Sequence, residues 1–158
     1  MPGSCTSRVI RMEDLDRKIV ALLAGDGRMS FTDLGKATGL STSAVHQRVK
    51  RLEQRGVILG YAALIDHTAL DLPLSALISI RPIDPSQPDD SPERLREVPE
   101  IESCYSVAGD SSYILIVRVA SPGALENLLA VIRARANVST TTTIVLSTPY
   151  EHRPPALT

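Results

Sequence analysis

GRMSFTDLGKATGLSTSAVHQRVKRLEQRGVILGY, residues 27–61, decides the fold of this chain. Two short segments with helical apolar spacing flank a Gly-Leu pair, and a serine precedes each. Ser30 reads as an N-cap, because its hydroxyl can accept from the unpaired N–H groups of a first helical turn. That helix runs to Thr38, and Gly39 closes it. Ser41 caps a second helix that reaches about Arg55, where Gly56 stops it. Two helices across a glycine turn are the helix-turn-helix pattern, in which the second helix enters a DNA major groove and the first crosses the backbone.

The second helix separates into faces. Val45, Val49 and Leu52 recur at i, i+4 and i+7 and form the inward stripe. Thr42, Ser43, His46, Gln47 and Lys50 fall on the other side, and their hydroxyls, amide, imidazole and ammonium can pair with base edges. Arg48, Lys50, Arg51 and Arg55 add charge suited to phosphates. A solvated basic face on any small helical domain has the same composition, so the helix alone does not decide. Arg28 and Ser30 stand at the start of the first helix of the pair. They read equally as a phosphate site at a helix N-terminus and as an ordinary cap. Upstream, Asp14 can cap a helix from Leu15 to about Ala24, with Leu15, Ile19, Leu22 and Leu23 packing against Phe31, Leu34, Leu40, Val45 and Val49. Downstream, Val57–Ile65 predicts a short strand pair bent at Gly60, the wing of a winged helix-turn-helix.

DLDRKIVALLAGDGR (14–28), GLSTSAVHQRVKRLEQRGVILGY (39–61) and ESCYSVAGDSSYILIVRV (102–119) resemble the Lrp/AsnC family of feast/famine regulators. The likeness spans roughly Leu15 to Ser147, and RVKRLEQRGVI is its most specific run. The resemblance implies a DNA-binding regulator, an amino-acid effector held between dimers, and assembly from dimers to tetramers or octamers. Two departures stand out. Asp33-Leu34-Gly35 replaces the common Glu-Leu-Ala, and a helical glycine costs on the order of 1 kcal/mol against alanine. Ser112 stands where the family often carries a second Asp in Gly-Asp-x-Asp-Tyr, leaving one charge fewer for a ligand ammonium.

Charge divides the chain. Residues 1–65 carry 10 Lys/Arg and 6 Asp/Glu, +4; the remaining 7 basic and 12 acidic residues give −5, so the overall −1 hides a basic front and an acidic back. The front suits nucleic acid. Three segments follow: a helix-turn-helix domain at 13–65, a linker at 66–73 (DHTALDLP), and a second domain at 74–150.

The second domain alternates strand and helix signals. Strands are expected over Leu74–Arg81, Ile101–Val107, Ser112–Ala120 and Val138–Ser147. Helices are expected from Ser91-Pro92-Glu93 to before Pro99 and over Gly123–Ala136. The order βαββαβ is the ferredoxin-like motif, so the chain is α+β: an N-terminal winged helix-turn-helix followed by a ferredoxin-like domain, the family's RAM domain. In the third strand Tyr113, Leu115, Val117 and Val119 face one way, Ile114 and Ile116 the other. Both helices of this motif cover one sheet face, so the apolar opposite face calls for a partner, most simply a second copy related by two-fold symmetry. Such a homodimer would hold two recognition helices about one DNA turn (~34 Å) or a multiple apart.

The turn Val107–Tyr113 has the chemistry for an effector. Gly109 exposes backbone N–H groups to a carboxylate, and Asp110 offers a carboxylate to an ammonium. A plain hairpin turn has the same residues. The family resemblance places Ala108, Gly109, Asp110 and Ser112 at the effector pocket, completed by Ser139, Thr140, Thr141 and Thr142 of the last strand from a neighbouring subunit.

Enzyme readings find little support. There is no Cys/His pair, Ser/His/Asp set, phosphate loop or metal cluster at workable spacing. Cys5 and Cys104 are far apart, and His67 has no ligand neighbours at metal spacing. No catalytic residue, metal or cofactor other than the effector is expected. No apolar run long enough to span a membrane and no signal peptide is visible, which with the reduced cysteines suggests the cytoplasm and the nucleoid. The leading expectation is a sequence-specific regulator of amino-acid metabolism genes, binding duplex DNA and a free amino acid. The alternatives are an architectural, nucleoid-type DNA binder and, further off, a small enzyme on the ferredoxin-like domain.

Overall fold

The computed structural model describes residues 12–86 and 89–156; Cys5 lies outside them. The chain forms two compact units. Of the described residues, one holds 12–64 together with 150–156, the other Ile65–Pro149.

Among the described residues the first unit has three helices: α1 (Asp14–Gly25), α2 (Phe31–Thr38) and α3 (Thr42–Gln54). Ser30 Oγ accepts the Asp33 backbone N–H at 3.1 Å, and its hydroxyl donates to Asp33 Oδ2 at 2.7 Å. Ser41 caps α3 in the same way through the Ala44 N–H. Gly39 closes α2 in the left-handed region, φ 75°. The cap of α1 is Glu13 rather than Asp14, and its side chain makes no capping bond. Ile19, Leu34, Val45, Val49 and Leu52 are the buried core. Gly35 serves the packing of this pair. A Cβ there would sit 2.8 Å from the Leu40 carbonyl oxygen, so the absent side chain lets the turn close on α2.

Two sequence expectations fail here. Phe31 is exposed instead of joining the core, its ring standing edge-on to His46 at 5.0 Å between centroids. The wing hairpin does not form: among the described residues, no strand lies between Gln54 and Thr68. Val57 and Ile58 turn back, both donating to the Leu52 carbonyl, and Tyr61 Oη donates to Glu53 Oε1 at 3.0 Å. Leu59-Gly60 lacks the paired left-handed residues of a tight hairpin, and an isolated two-stranded ribbon is marginal in any case.

The second unit is a four-stranded antiparallel sheet, β1 (Leu74–Pro82), β2 (Ile101–Ser106), β3 (Tyr113–Val119) and β4 (Val138–Ile144), in the order β2-β3-β1-β4. The short helix α4 (Ser91–Leu95) and the longer α5 (Pro122–Ala136) complete the ferredoxin-like βαββαβ. Ala76, Ile78, Ile80, Leu115, Val117 and Val119 meet Leu125, Leu128 and Ile132 in one core. No helix among the described residues of this unit packs on the opposite face. There Ile114 and Ile116 are half-buried and Leu77 is exposed. The connector folds with this unit: Thr68–Leu70 make a single 3-10 turn, and His67 Nε2 lies 3.0 Å from Glu102 Oε1. His67 is therefore an anchoring side chain. Cys104 sits on β2, where partial burial and then the carboxylates of Glu93 and Asp89 push its thiol pKa up, away from the reactive thiolate.

Candidate nucleic-acid interface and effector cavity

α3 presents Thr42, Ser43, His46, Gln47 and Lys50 to solvent, while its inward stripe is buried against α1 and α2. Ser43 Oγ lies 3.1 Å from the Ser41 capping hydroxyl, and the Phe31 ring holds the imidazole of His46 beside the start of α2. Gln47 and Lys50 have open polar groups one turn apart, the arrangement that can meet a base edge and a phosphate.

Arg48 and Arg51 are placed differently from the phosphate-binding row expected of them. Arg48 Nη1 donates to Asp16 Oδ1 at 2.7 Å and to Glu13 Oε2 at 2.8 Å; Arg51 Nη2 donates to Asp16 Oδ2 at 3.0 Å. Asp16 is fully buried, its side chain 1% exposed, against 24% for Arg48 and 46% for Arg51. The two guanidiniums thus clamp α3 to α1 through one carboxylate. Hydrogen bonding to Glu13 and then Asp16 raises the Arg48 pKa further. Within α3 the cation left outward is Lys50, and Arg55, the C-cap of the helix, is exposed as well. Ser30 is engaged as a cap, and Asp33, its pKa lowered by the Ser30 bond and then by Lys36, puts a firm negative charge at that helix end. This favours the plain-cap reading of Ser30, since a phosphate would meet a like charge. Arg28 is exposed, its backbone N–H bonded to Asp26.

At one end of the second unit the turn after β2 is fastened to β1: the Ser112 N–H donates to the Ile80 carbonyl at 3.0 Å, and the Val107 N–H to the Ser112 carbonyl. Gly109 holds φ 135°, a region that side chains rarely adopt. A cavity of about 150 Å³ results, lined by Ser79, Arg81, Asp110, Ser111, Ser139 and Thr141. Asp110 therefore shares a cavity with Ser139 and Thr141 of its own protomer, whereas the family resemblance implies that the last strand reaches the pocket from a neighbouring subunit. Thr140 and Thr142 do not line this cavity. Strand alternation sends Thr140 to the helix side, where its Oγ1 accepts from Arg133 Nε at 2.9 Å. Ala108, Gly109 and Ser112 lie in the turn but not on the cavity wall; Ser112 contributes through its backbone. Ser79 and Arg81 were missed. Their signal was the phase of β1, in which Leu77, Ser79 and Arg81 oppose the buried Ala76, Ile78 and Ile80.

A helix-turn-helix unit with an outward polar recognition helix, joined to a separate α+β unit, defines a DNA-binding transcriptional regulator carrying a ligand-binding domain. Comparison with known proteins says which kind. The AsnC-type helix-turn-helix domain matches residues 12–53, and the Lrp/AsnC ligand binding domain matches residues 75–155. The transcriptional regulator LrpA of Mycobacterium tuberculosis is 55% identical over 142 residues, covering 90% of this chain and 95% of that one. A feast or famine regulatory protein of M. tuberculosis, solved in complex with L-methionine, superposes with a TM-score of 0.89 at 54% identity, covering 92% of this chain and 100% of that chain. A Neisseria meningitidis regulator, also solved with L-methionine, gives 0.83 at 25% identity over 93% and 97%. The chain belongs to the Lrp/AsnC family. It is a transcriptional regulator and not an enzyme. Among the described residues no helix is long and apolar enough to cross a membrane, and no cluster of His, Cys, Asp and Glu has metal-binding geometry.

Proposed function

We propose that this chain regulates genes of amino-acid metabolism, binding its DNA sites as a homodimer or a higher assembly and responding to a free amino acid. The observation that carries the effector reading is the cavity joining Asp110 to Ser139 and Thr141 at the rim of the uncovered sheet face. A ligand there would touch the surface through which a second copy would pack, so its binding would alter assembly and with it DNA affinity. The L-methionine complexes of two relatives support an amino acid as ligand class. In this reading Thr42, Ser43, His46, Gln47 and Lys50 meet the major groove. Arg48 and Arg51 serve chiefly to hold the helix in place.

Two results test it. Asp110→Ala abolishes the response of a DNA mobility shift to whichever standard amino acid stabilises the wild type in a thermal-shift screen, while DNA binding itself persists. A variant that still responds rejects the cavity as the effector site. Gln47→Ala weakens binding to a site footprinted at one promoter by about 1–3 kcal/mol and to random DNA by much less. Equal losses reject base reading, and uniform coating of random DNA by the wild type would favour an architectural role.

A further inference from the structure

The effector cavity contains a cation that neither the family motif nor the turn sequence assigns. Arg81 is the penultimate residue of β1, opposite Ser139 in the β1–β4 register, and the Ser139 hydroxyl donates to the Arg81 carbonyl at 3.3 Å. That pairing fixes the backbone from which the guanidinium projects. Asp110 approaches the same cavity from the other side, held by the Ser112–Ile80 backbone bond. Both side chains line the cavity, and among the described residues neither takes part in an ion pair. This is unusual company for them. The other arginines of this unit that face carboxylates, Arg94 and Arg118, close on Asp90 and Glu102 at 2.8 and 2.9 Å.

A carboxylate and a guanidinium on the walls of one polar cavity, left unjoined, complement a molecule with both charges. A free α-amino acid is such a molecule. Guanidinium binds carboxylate through paired, charge-assisted N–H donors, and a carboxylate accepts from an ammonium. Resting on the effector reading above, we propose that Arg81 binds the α-carboxylate of the effector while Asp110 takes its ammonium. The size of the cavity agrees. At about 150 Å³ it is small beside the roughly 300–1,000 Å³ of complete small-molecule sites. It has room for the zwitterionic head group, so the ligand's side chain extends beyond the walls that this protomer supplies. One protomer thus reads the amino-acid class, and selection among side chains falls to whatever covers the cavity mouth.

The test pairs a chemical change with a mutation. The full chain is screened by thermal shift against the standard L-amino acids, and the tightest binder is taken to calorimetry with its methyl ester, which lacks the carboxylate charge. Wild type is expected to bind the free acid at least tenfold tighter than the ester. Arg81→Gln, with an exposed side chain that leaves the strand pairing intact, is expected to lose about tenfold for the acid and little for the ester. The acid-to-ester ratio then collapses toward one. Arg81→Lys restores part of it. Because the ratio is taken within each variant, a simple loss of folded protein does not mimic the effect. An unchanged ratio in Arg81→Gln overturns the assignment of Arg81 while leaving the effector site standing. Failure of wild type to bind any standard amino acid overturns both.

Discussion

Arg48→Ala is expected to destabilise the helix-turn-helix unit by about 3 kcal/mol, and to do so more severely than Asp16→Ala. The asymmetry follows from which partner can reach water. Asp16 is buried to the last per cent of its side chain, whereas Arg48 and Arg51 keep a quarter and nearly half of theirs in solvent. Removing the carboxylate frees two guanidiniums that can turn outward. Removing Arg48 strands an ionised carboxylate with one remaining donor, and an uncompensated buried charge typically costs about 3–5 kcal/mol. The surviving Arg51 bond sets the value near the lower end. In a small domain each kcal/mol moves the midpoint by about 4–8 °C, so the helical melt followed by far-UV circular dichroism should fall by about 12 °C or more. If Asp16→Ala proves the more damaging, the clamp does not work as described. The same network bears on DNA binding. With Arg48 and Arg51 engaged internally, Lys50→Ala should reduce the salt dependence of binding by about one phosphate contact, measured as the slope of log affinity against log salt.

The Asp16 clamp also marks where the sequence stopped being readable. Ser30, Gly39 and Ser41 act within one turn of themselves, and their caps form as local chemistry dictates. Val45, Val49 and Leu52 obey helical spacing and are buried. Asp16 pairs with side chains 32 and 35 residues further on. Nothing local shows that an arginine on α3 turns toward α1 instead of toward DNA. A hint was present: Asp16 shares the inward phase of Ile19 and Leu23, and an acid on a core-facing stripe needs a cation. The wing failed for a related reason. Val57–Ile65 has strand composition, but composition does not supply a turn, and Leu59 and Leu64 stand 94% and 75% exposed. In the second unit β3 was legible as a strand wanting cover on both faces, because apolar residues dominate both phases. The run Ser139–Thr142 hid its alternation, since four hydroxyl side chains look alike whichever face they occupy. Arg81 lies far in sequence from the turn that carries Asp110, and only the phase of β1, followed to its end, points to it.

Ile114→Glu should convert the proposed dimer to monomers and lower DNA affinity by about a hundredfold or more, without unfolding the second unit. Ile114 lies on the sheet face that carries no helix, paired across the strands with Tyr105 on one side and Ser79 on the other. Its neighbours on that face include Ile116 and Leu77, which no element of this unit covers. In a monomer the new carboxylate would sit in water at little cost. In a face-to-face dimer the same charge would be desolvated against apolar side chains with no cation to meet it, a penalty of several kcal/mol on each side of a two-fold interface. The loss in DNA binding then follows from linkage. Two recognition helices on one body make the second contact intramolecular, and joining two modest binders in this way commonly gains about 10²–10⁴ in apparent affinity. Sedimentation velocity of wild type and variant, alongside a mobility shift on one footprinted site, reads both effects. Wild type sedimenting as a single copy at micromolar concentration would refute the assembly outright. A variant that remains dimeric would move the interface to another surface, with the exposed stretch from Leu59 to Ile65 the next place to substitute.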